Sequence, residues 1–362
     1  STGVNEDGET DSFTVVLNSE PISDVVIAIS SDDTDESTVS PGSLTFTSAN
    51  WDTPQSVIVT GADDDLADGT QNSTVTISVV DLSSDDSFDS LADQSFTVTT
   101  ADNDIAGFTI TETNGSTEVD ESGDTDIFTV VLDAQPANDV VLSIISSDTG
   151  EATVTSTLTF TSTNWDTAQT VTVTGVDDSL LDGSQSSIVT ISVVDQNTSD
   201  EFDAVADQTV SVSTTDDDVA GFTIVELDGS TEVDESGDTD TFTVVLDAQP
   251  DSNVVVAISV SDSSESSVNS PLTFTSANWD TPQVVTITGV DDDIIDGTIN
   301  STITVTIVDA ISDNQFDGVA DQTVSVSTTD DDVAGFTVTE TEGSTGVDES
   351  GTTDIITVVL NA

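Results

Sequence analysis

An all-β fold of tandem antiparallel β-sandwiches, strung into an extended rod, is predicted by three observations. Apolar residues alternate with polar ones along most of the chain. No stretch has helical periodicity. The pattern also repeats with a period the size of one globular domain. Trp51, Trp165 and Trp279 stand 114 positions apart, and so do Phe88, Phe202 and Phe316. A repeat of that length is a whole domain, far longer than a solenoid unit.

The alternation is clearest in the second repeat. Phe128, Val130 and Leu132 alternate with Thr129 and Val131. Val171 and Val173 are spaced by threonines, and Val210 and Val212 by Ser211 and Ser213. Such a strand turns one face to a core and the other to water, and Thr and Val suit that pleated surface. Strands are expected near 107–111, 126–133, 139–145, 157–161, 169–175, 187–195 and 208–215, with a kink at 119–123. About seven strands in roughly 100 residues, with polar turns between them, predict a two-sheet sandwich. The expected domains are 1–104, lacking its first strand, then 105–218, 219–332, and the first strands of a fourth at 333–362. The opening STGVNEDG resembles STGVDESG near the end, so the chain reads as a window on a longer array.

Charge sets the chemistry. The 362 residues include 72 Asp and Glu and no Lys, Arg or His, for a formal charge of −72. Nucleic acid and anionic membrane are excluded as partners, because both need a basic surface. No apolar run is long enough to span a membrane. There is no Cys, so no disulfide staples the fold, and no Lys for an isopeptide cross-link. Self-repulsion on this scale makes the fold depend on cations.

Three groups of carboxylates recur in register. Glu6, Glu121, Glu235 and Glu349 lie in the kink after the opening strand. Asp63, Asp64, Asp65 and Asp68 follow the TVTVTG-type strand, as do Asp177, Asp178 and Asp182, and Asp291, Asp292, Asp293 and Asp296. Asp102 and Asp104 close the first repeat, Asp216, Asp217 and Asp218 the second, and Asp330, Asp331 and Asp332 the third. In a sandwich these segments meet at one end. An all-carboxylate cluster without His or Cys suits Ca2+, which takes six to eight oxygen ligands in irregular geometry. Several ions per junction are expected. Acidity as adaptation to high salt stays open for the remaining carboxylates, but it does not account for three loops in register.

The stretch DDDVAGFTIVELDGSTEVDES, from Asp216 to Ser236, resembles the junction of Calx-β domains, the calcium-binding sandwiches of sodium–calcium exchangers and many bacterial surface proteins. The resemblance covers nearly the whole chain and implies Ig-like sandwiches. It also implies that Glu121, Asp177, Asp178, Asp182 and Asp216 to Asp218 are calcium ligands, with counterparts in the other repeats. Asn103 departs from the pattern, and Asp33, Asp148 and Asp262 match a further family ligand only loosely. The segment around each Trp looks more like large bacterial adhesin repeats.

Catalysis is not expected, since His, Cys, Lys and Tyr are all missing and with them most bases and nucleophiles. Each Trp reads as core or edge packing and each Phe of the Phe88 series as an inward anchor. The expected function is a calcium-stiffened segment of a giant extracellular or surface-anchored protein: an adhesin stalk, biofilm or surface fibre. The expected partners are neighbouring repeats and identical chains in a filament or bundle. The alternatives are a calcium-sensing module that changes its interdomain angle, and a sugar- or surface-binding adhesin domain.

Overall fold

The computed structural model describes residues 2–227 and 229–361. The chain is an all-β array of sandwiches, each a five-stranded sheet facing a smaller one. The second sandwich shows the plan. Its larger sheet runs Thr117–Asp120, Gln208–Thr215, Gln185–Val193, Val140–Ser146 and Thr157–Phe160 in spatial order. Its smaller sheet runs Ala152–Val154, Gln169–Gly175, Thr125–Leu132 and Phe108–Glu112. The third sandwich repeats this order strand for strand. In the first, the smaller sheet has three strands: Thr10–Val15, Gln55–Gly61 and Ser37–Ser40.

The alternating residues form the cores as expected. Phe128, Val130, Val171, Val173, Val210 and Val212 are all buried, together with Phe160 and Phe202. Trp51, Trp165 and Trp279 pack half-buried on the edges of their cores. Their carbonyls accept the amides of Leu17, Leu132 and Leu246.

Two details differ from the sequence reading. The kink expected near 119–123 is a separate strand, Thr117–Asp120, in the other sheet. It pairs parallel to Gln208–Thr215, with Thr117 opposite Val212 and Asp120 opposite Thr215. Each larger sheet thus has one parallel pair in an otherwise antiparallel fold. The three-residue strand Ala152–Val154 was also not expected.

The chain divides into two compact units, Ser1–Asp177 with Ser186–Thr215, and Asp178–Gln185 with Asp216–Ala362. Within the first, the loop after Gln55–Gly61 reaches the second sandwich. Gln135 accepts the amide of Ala67 and donates its own to the Asp65 carbonyl. Ala67 is buried in the core around Phe108 and Phe128. Within the second unit, Leu181 and Gln249 repeat this arrangement, and Leu181 joins the core around Phe222 and Phe242. The third member of the series, Ile295, is exposed. Among the described residues no helix is long and apolar enough to cross a membrane.

Candidate metal centre

In the first sandwich the opening strand Thr2–Asn5 pairs parallel to Gln94–Ala101, and the Glu6 amide extends the ladder to the Ala101 carbonyl at 3.2 Å. Gly61 makes this possible: a Cβ there would overlap the carbonyl oxygen of Asn5. Gly289 lies in the same way against the Asp234 carbonyl in the third sandwich. The close backbone approach holds Glu6 and Glu235 against the end of the smaller sheet. The two side chains are only 2% and 1% exposed.

The closing aspartates have two different tasks. Asp102 Oδ2 accepts the amides of Asp68 (3.1 Å) and Gly69 (2.7 Å), and its Oδ1 accepts the Asp104 amide at 2.6 Å. This side chain ties the acidic loop to the end of the last strand. Asp216 makes the same bonds to Asp182, Gly183 and Asp218, and Asp330 to Gly297 and Asp332. The loop turns through Gly69, Gly183 and Gly297 at φ of 73°, 72° and 77°, where a side chain would be strained. These bonds hold the Asp330 carboxyl below its ordinary range.

Around these fixed points carboxylates converge. In the first sandwich, oxygens of Glu6, Asp102 and Asp104 lie within 4.8 Å of one another, as do those of Glu6, Glu36 and Asp68. In the third, Glu235, Asp330 and Asp332 form the same group. Several of the oxygens are buried and accept no hydrogen bond: Glu6 Oε2, Glu36 Oε2, Asp68 Oδ1 and Asp104 Oδ2 in the first sandwich, and Glu235 Oε2, Glu265 Oε2 and Asp332 Oδ2 in the third. With no basic side chain in the protein, such groups are costly unless something cationic meets them.

The electrostatics carry the same message. Burial, then repulsion from Asp102, pushes Glu6 up to about 7; the Asn103 amide opposes this and Asp64 and Glu36 add to it. Burial, then Asp330 and Glu265, pushes Glu235 up to about 7. Glu36, Asp68, Asp104, Asp182, Glu265 and Asp332 are raised as well, burial being the largest cause each time. Without divalent metal, the folded chain therefore holds protons on Glu6 and Glu235 between about pH 4.5 and 7 that the unfolded chain has released. Stability must fall as pH rises through that window. In chelator at fixed high salt, the melting temperature is expected to decline from about pH 5 to about pH 8; a flat or rising profile contradicts this.

The structure separates the sequence-predicted residues into inner and outer sets. Glu6, Asp68, Asp102, Asp104, Glu235, Asp330 and Asp332 face the clusters. Glu121 is buried behind Thr117–Asp120, its amide bonded to the Thr215 carbonyl at 3.0 Å. Asp182, Asp216 and Asp218 are half-buried and linked through the Asp216 carboxylate. Asp64, Asp178 and Asp292 each accept the amide two residues on, shaping the loop. Asp63, Asp177, Asp217, Asp291, Asp296 and Asp331 are exposed. Asn103 has the same exposed middle place as Asp217 and Asp331, so this departure falls outside the cluster.

A fourth recurring carboxylate, Glu36, Glu151 and Glu265, went unrecognised in the sequence. Glu36 and Glu265 are 8% and 5% exposed and lie in the clusters' field. The signal was the repeat spacing itself, since Glu151 and Glu265 are also 114 positions apart.

No protein-family model and no curated protein matches the chain. Among solved structures it is similar to domains 4–9 of the surface layer protein SbsC, at 17% identity and a TM-score of 0.26, over 90% of this chain and 41% of that one. It is similar to the calcium binding domain CBD12 of CALX1.1, at 14% identity and a TM-score of 0.24, over 55% of this chain and 80% of that one. It is also similar to the endo-fucoidan hydrolase MfFcnA4 from glycoside hydrolase family 107, at 10% identity and a TM-score of 0.24, over 91% of this chain and 42% of that one. The chain thus spans less than half of the surface-layer fragment. At these scores the likenesses carry no argument about function.

Proposed function

We propose that the chain is a structural segment of a large extracellular or surface-anchored repeat protein, with calcium binding at the ends of its sandwiches. The observation that carries this reading is the set of buried, unpartnered carboxylate oxygens repeated in the first and third sandwiches. Their donor set is all oxygen and suits Ca2+ better than Zn2+ or Cu2+. Glu6, Glu36, Asp68, Asp102 and Asp104 would hold ions in the first sandwich, and Glu235, Glu265, Asp330 and Asp332 in the third. Bound calcium supplies positive charge that the protein itself cannot.

The place of the cluster gives it a mechanical role. Asp68 is next to Ala67, which is buried in the following core. Asp104 stands at the start of the connection to the strand Phe108–Glu112. An ion held by Glu6, Asp68 and Asp104 would tie one sandwich to both links leading to the next. The joint would stiffen and the array would extend as a rod, suited to a stalk or surface fibre. Free calcium outside cells is high enough to fill sites of ordinary affinity.

Small-angle X-ray scattering of the full chain in calcium and in chelator, at one high ionic strength, tests the reading. A single long maximum dimension in calcium, giving way to a broader distribution in chelator, is the expected result. Superimposable curves would remove the stiffening role.

A further inference from the structure

Where the first sandwich meets the second there is a cavity of about 360 Å³. Ala67, Asp102 and Asp104 of the first sandwich line it together with Glu201, Ala204 and Val205 of the second. Asp102 and Asp104 also belong to the carboxylate group described above, in which their oxygens and one from Glu6 lie within 4.8 Å of one another. Glu6 is 2% exposed and its Oε2 has no hydrogen-bond partner. The two aspartates thus join the cavity to a buried acid that no cation of the chain can answer.

Glu201 brings a carboxylate to this cavity from the other sandwich. The side chain is exposed, and its position is fixed by Ser199, which is buried and donates its hydroxyl to Glu201 Oε2 at 3.1 Å. Burial raises Asp68 most, and repulsion from Asp102, Asp64 and Glu201 adds to it. Of these three, Glu201 alone belongs to the second sandwich.

The second unit repeats the arrangement with a different residue in it. Gln315 stands in the third sandwich where Glu201 stands in the second, 114 positions earlier. Its side-chain amide donates to the carbonyl of Leu181, the counterpart of Ala67. An amide brings no charge, yet a charge is present. Burial raises Asp182 most, and repulsion from Asp216, Asp178 and Asp251 adds to it. Asp216 and Asp178 are the counterparts of Asp102 and Asp64, so Asp251 has the place of Glu201. Asp251 comes from the loop before Val254–Val260, and its own counterpart in the second sandwich is Ala137. Each acidic loop therefore faces one carboxylate of the following sandwich, drawn from one loop in the first case and from another in the second.

We propose that Glu201 is a calcium ligand supplied across the joint, completing the ion site of the preceding sandwich, and that Asp251 has the same role beside Asp182 and Asp216 in the second unit. This rests on the calcium reading above and adds the residue that the ion meets on the far side. Glu6, Asp102 and Asp104 supply fewer groups than the six to eight oxygens Ca2+ takes, and the cavity gives a further carboxylate room to reach the ion. The ion then bonds the two sandwiches directly. The chemistry requires an acid at that place in space, and two different sequence positions satisfy it.

Calcium binding to the full chain, measured by equilibrium dialysis at one high ionic strength, tests this. Glu201→Gln installs the residue that the third sandwich already carries there, at an exposed position. It should weaken one class of sites by about tenfold or more. Ala137→Asp in the same chain places an acid at the counterpart of Asp251, again at an exposed position, and should restore most of the loss. Asp200→Asn, an exposed neighbour with the same change of charge, should leave the isotherm as it is. A Glu201→Gln isotherm matching the parent's overturns the proposal and leaves the calcium reading standing. Equal weakening by Asp200→Asn overturns it as well, since net charge would then explain the effect. A loss that Ala137→Asp leaves in place overturns the role of Asp251. A parent chain that binds no calcium removes both the proposal and the reading beneath it.

Discussion

Removing calcium at fixed high salt is expected to lower the melting temperature by about 10 °C or more. An ion that binds only the folded state stabilises it by about 2.7 kcal/mol when present at about a hundred times its dissociation constant. For a sandwich of this size about 1 kcal/mol moves the midpoint by roughly 4–8 °C. More than one carboxylate group converges in the first sandwich, so one site's worth is a lower bound there. Trp51, Trp165 and Trp279 each pack on the core of their own sandwich, and their fluorescence follows the transition. Fixed ionic strength is essential, because simple screening would also help a chain of charge −72. An unchanged midpoint in excess chelator would reduce the acidic loops to solvated surface.

Glu235→Gln is expected to change sign with calcium. The side chain is buried, Oε2 has no hydrogen-bond partner, and burial and repulsion from Asp330 and Glu265 oppose its charge. Above about pH 7 in chelator, the neutral amide relieves that opposition, and the third sandwich should melt a few degrees higher than the parent. In calcium the same change removes a charged ligand. Affinity should fall by at least about tenfold, and the variant should melt lower than the parent. Asp331→Asn is the control, since Asp331 is exposed. It should leave both midpoints within experimental scatter. A Glu235→Gln variant that shifts the same way in both conditions would show that the carboxylate has no cation to hold.

The sandwich itself was legible because each long strand carries its own burial pattern. Val171 and Val173 announce an inward face without knowledge of any partner. Thr117–Asp120 does not, because four residues reading TEVD are too few to show a period. Its place depends on Val212 and its neighbours, far along the chain. In the acidic loops, composition marked segments but not which side chains turn inward. Adjacent aspartates look alike in sequence, yet Asp102 and Asp104 turn inward and Asn103 outward because the Asp102 carboxylate holds the Asp104 amide. Glu36 was hidden by the acidic residues around it, among them Asp33 and Asp35, and only its repeat spacing marked it. The insertion of Ala67 and Leu181 was illegible for another reason: one small or apolar residue in a charged loop gives no pattern, and the series Ala67, Leu181, Ile295 shares no side chain.

That insertion gives the array a direction. The core around Phe108 and Phe128 is completed by Ala67, a residue that precedes it in the chain and belongs to a loop anchored by Asp102. Unfolding the first sandwich would therefore withdraw a piece of the second, while the second can open without removing any inserted residue from the first. Leu181 occupies the matching position in the core around Phe222. Neighbour-coupled arrays lose stability by propagation from a defect. Here the coupling is one-sided, so a proteolytic cut in residues 62–70, a loop of the first sandwich, would also disturb the core of the second, which Ala67 completes.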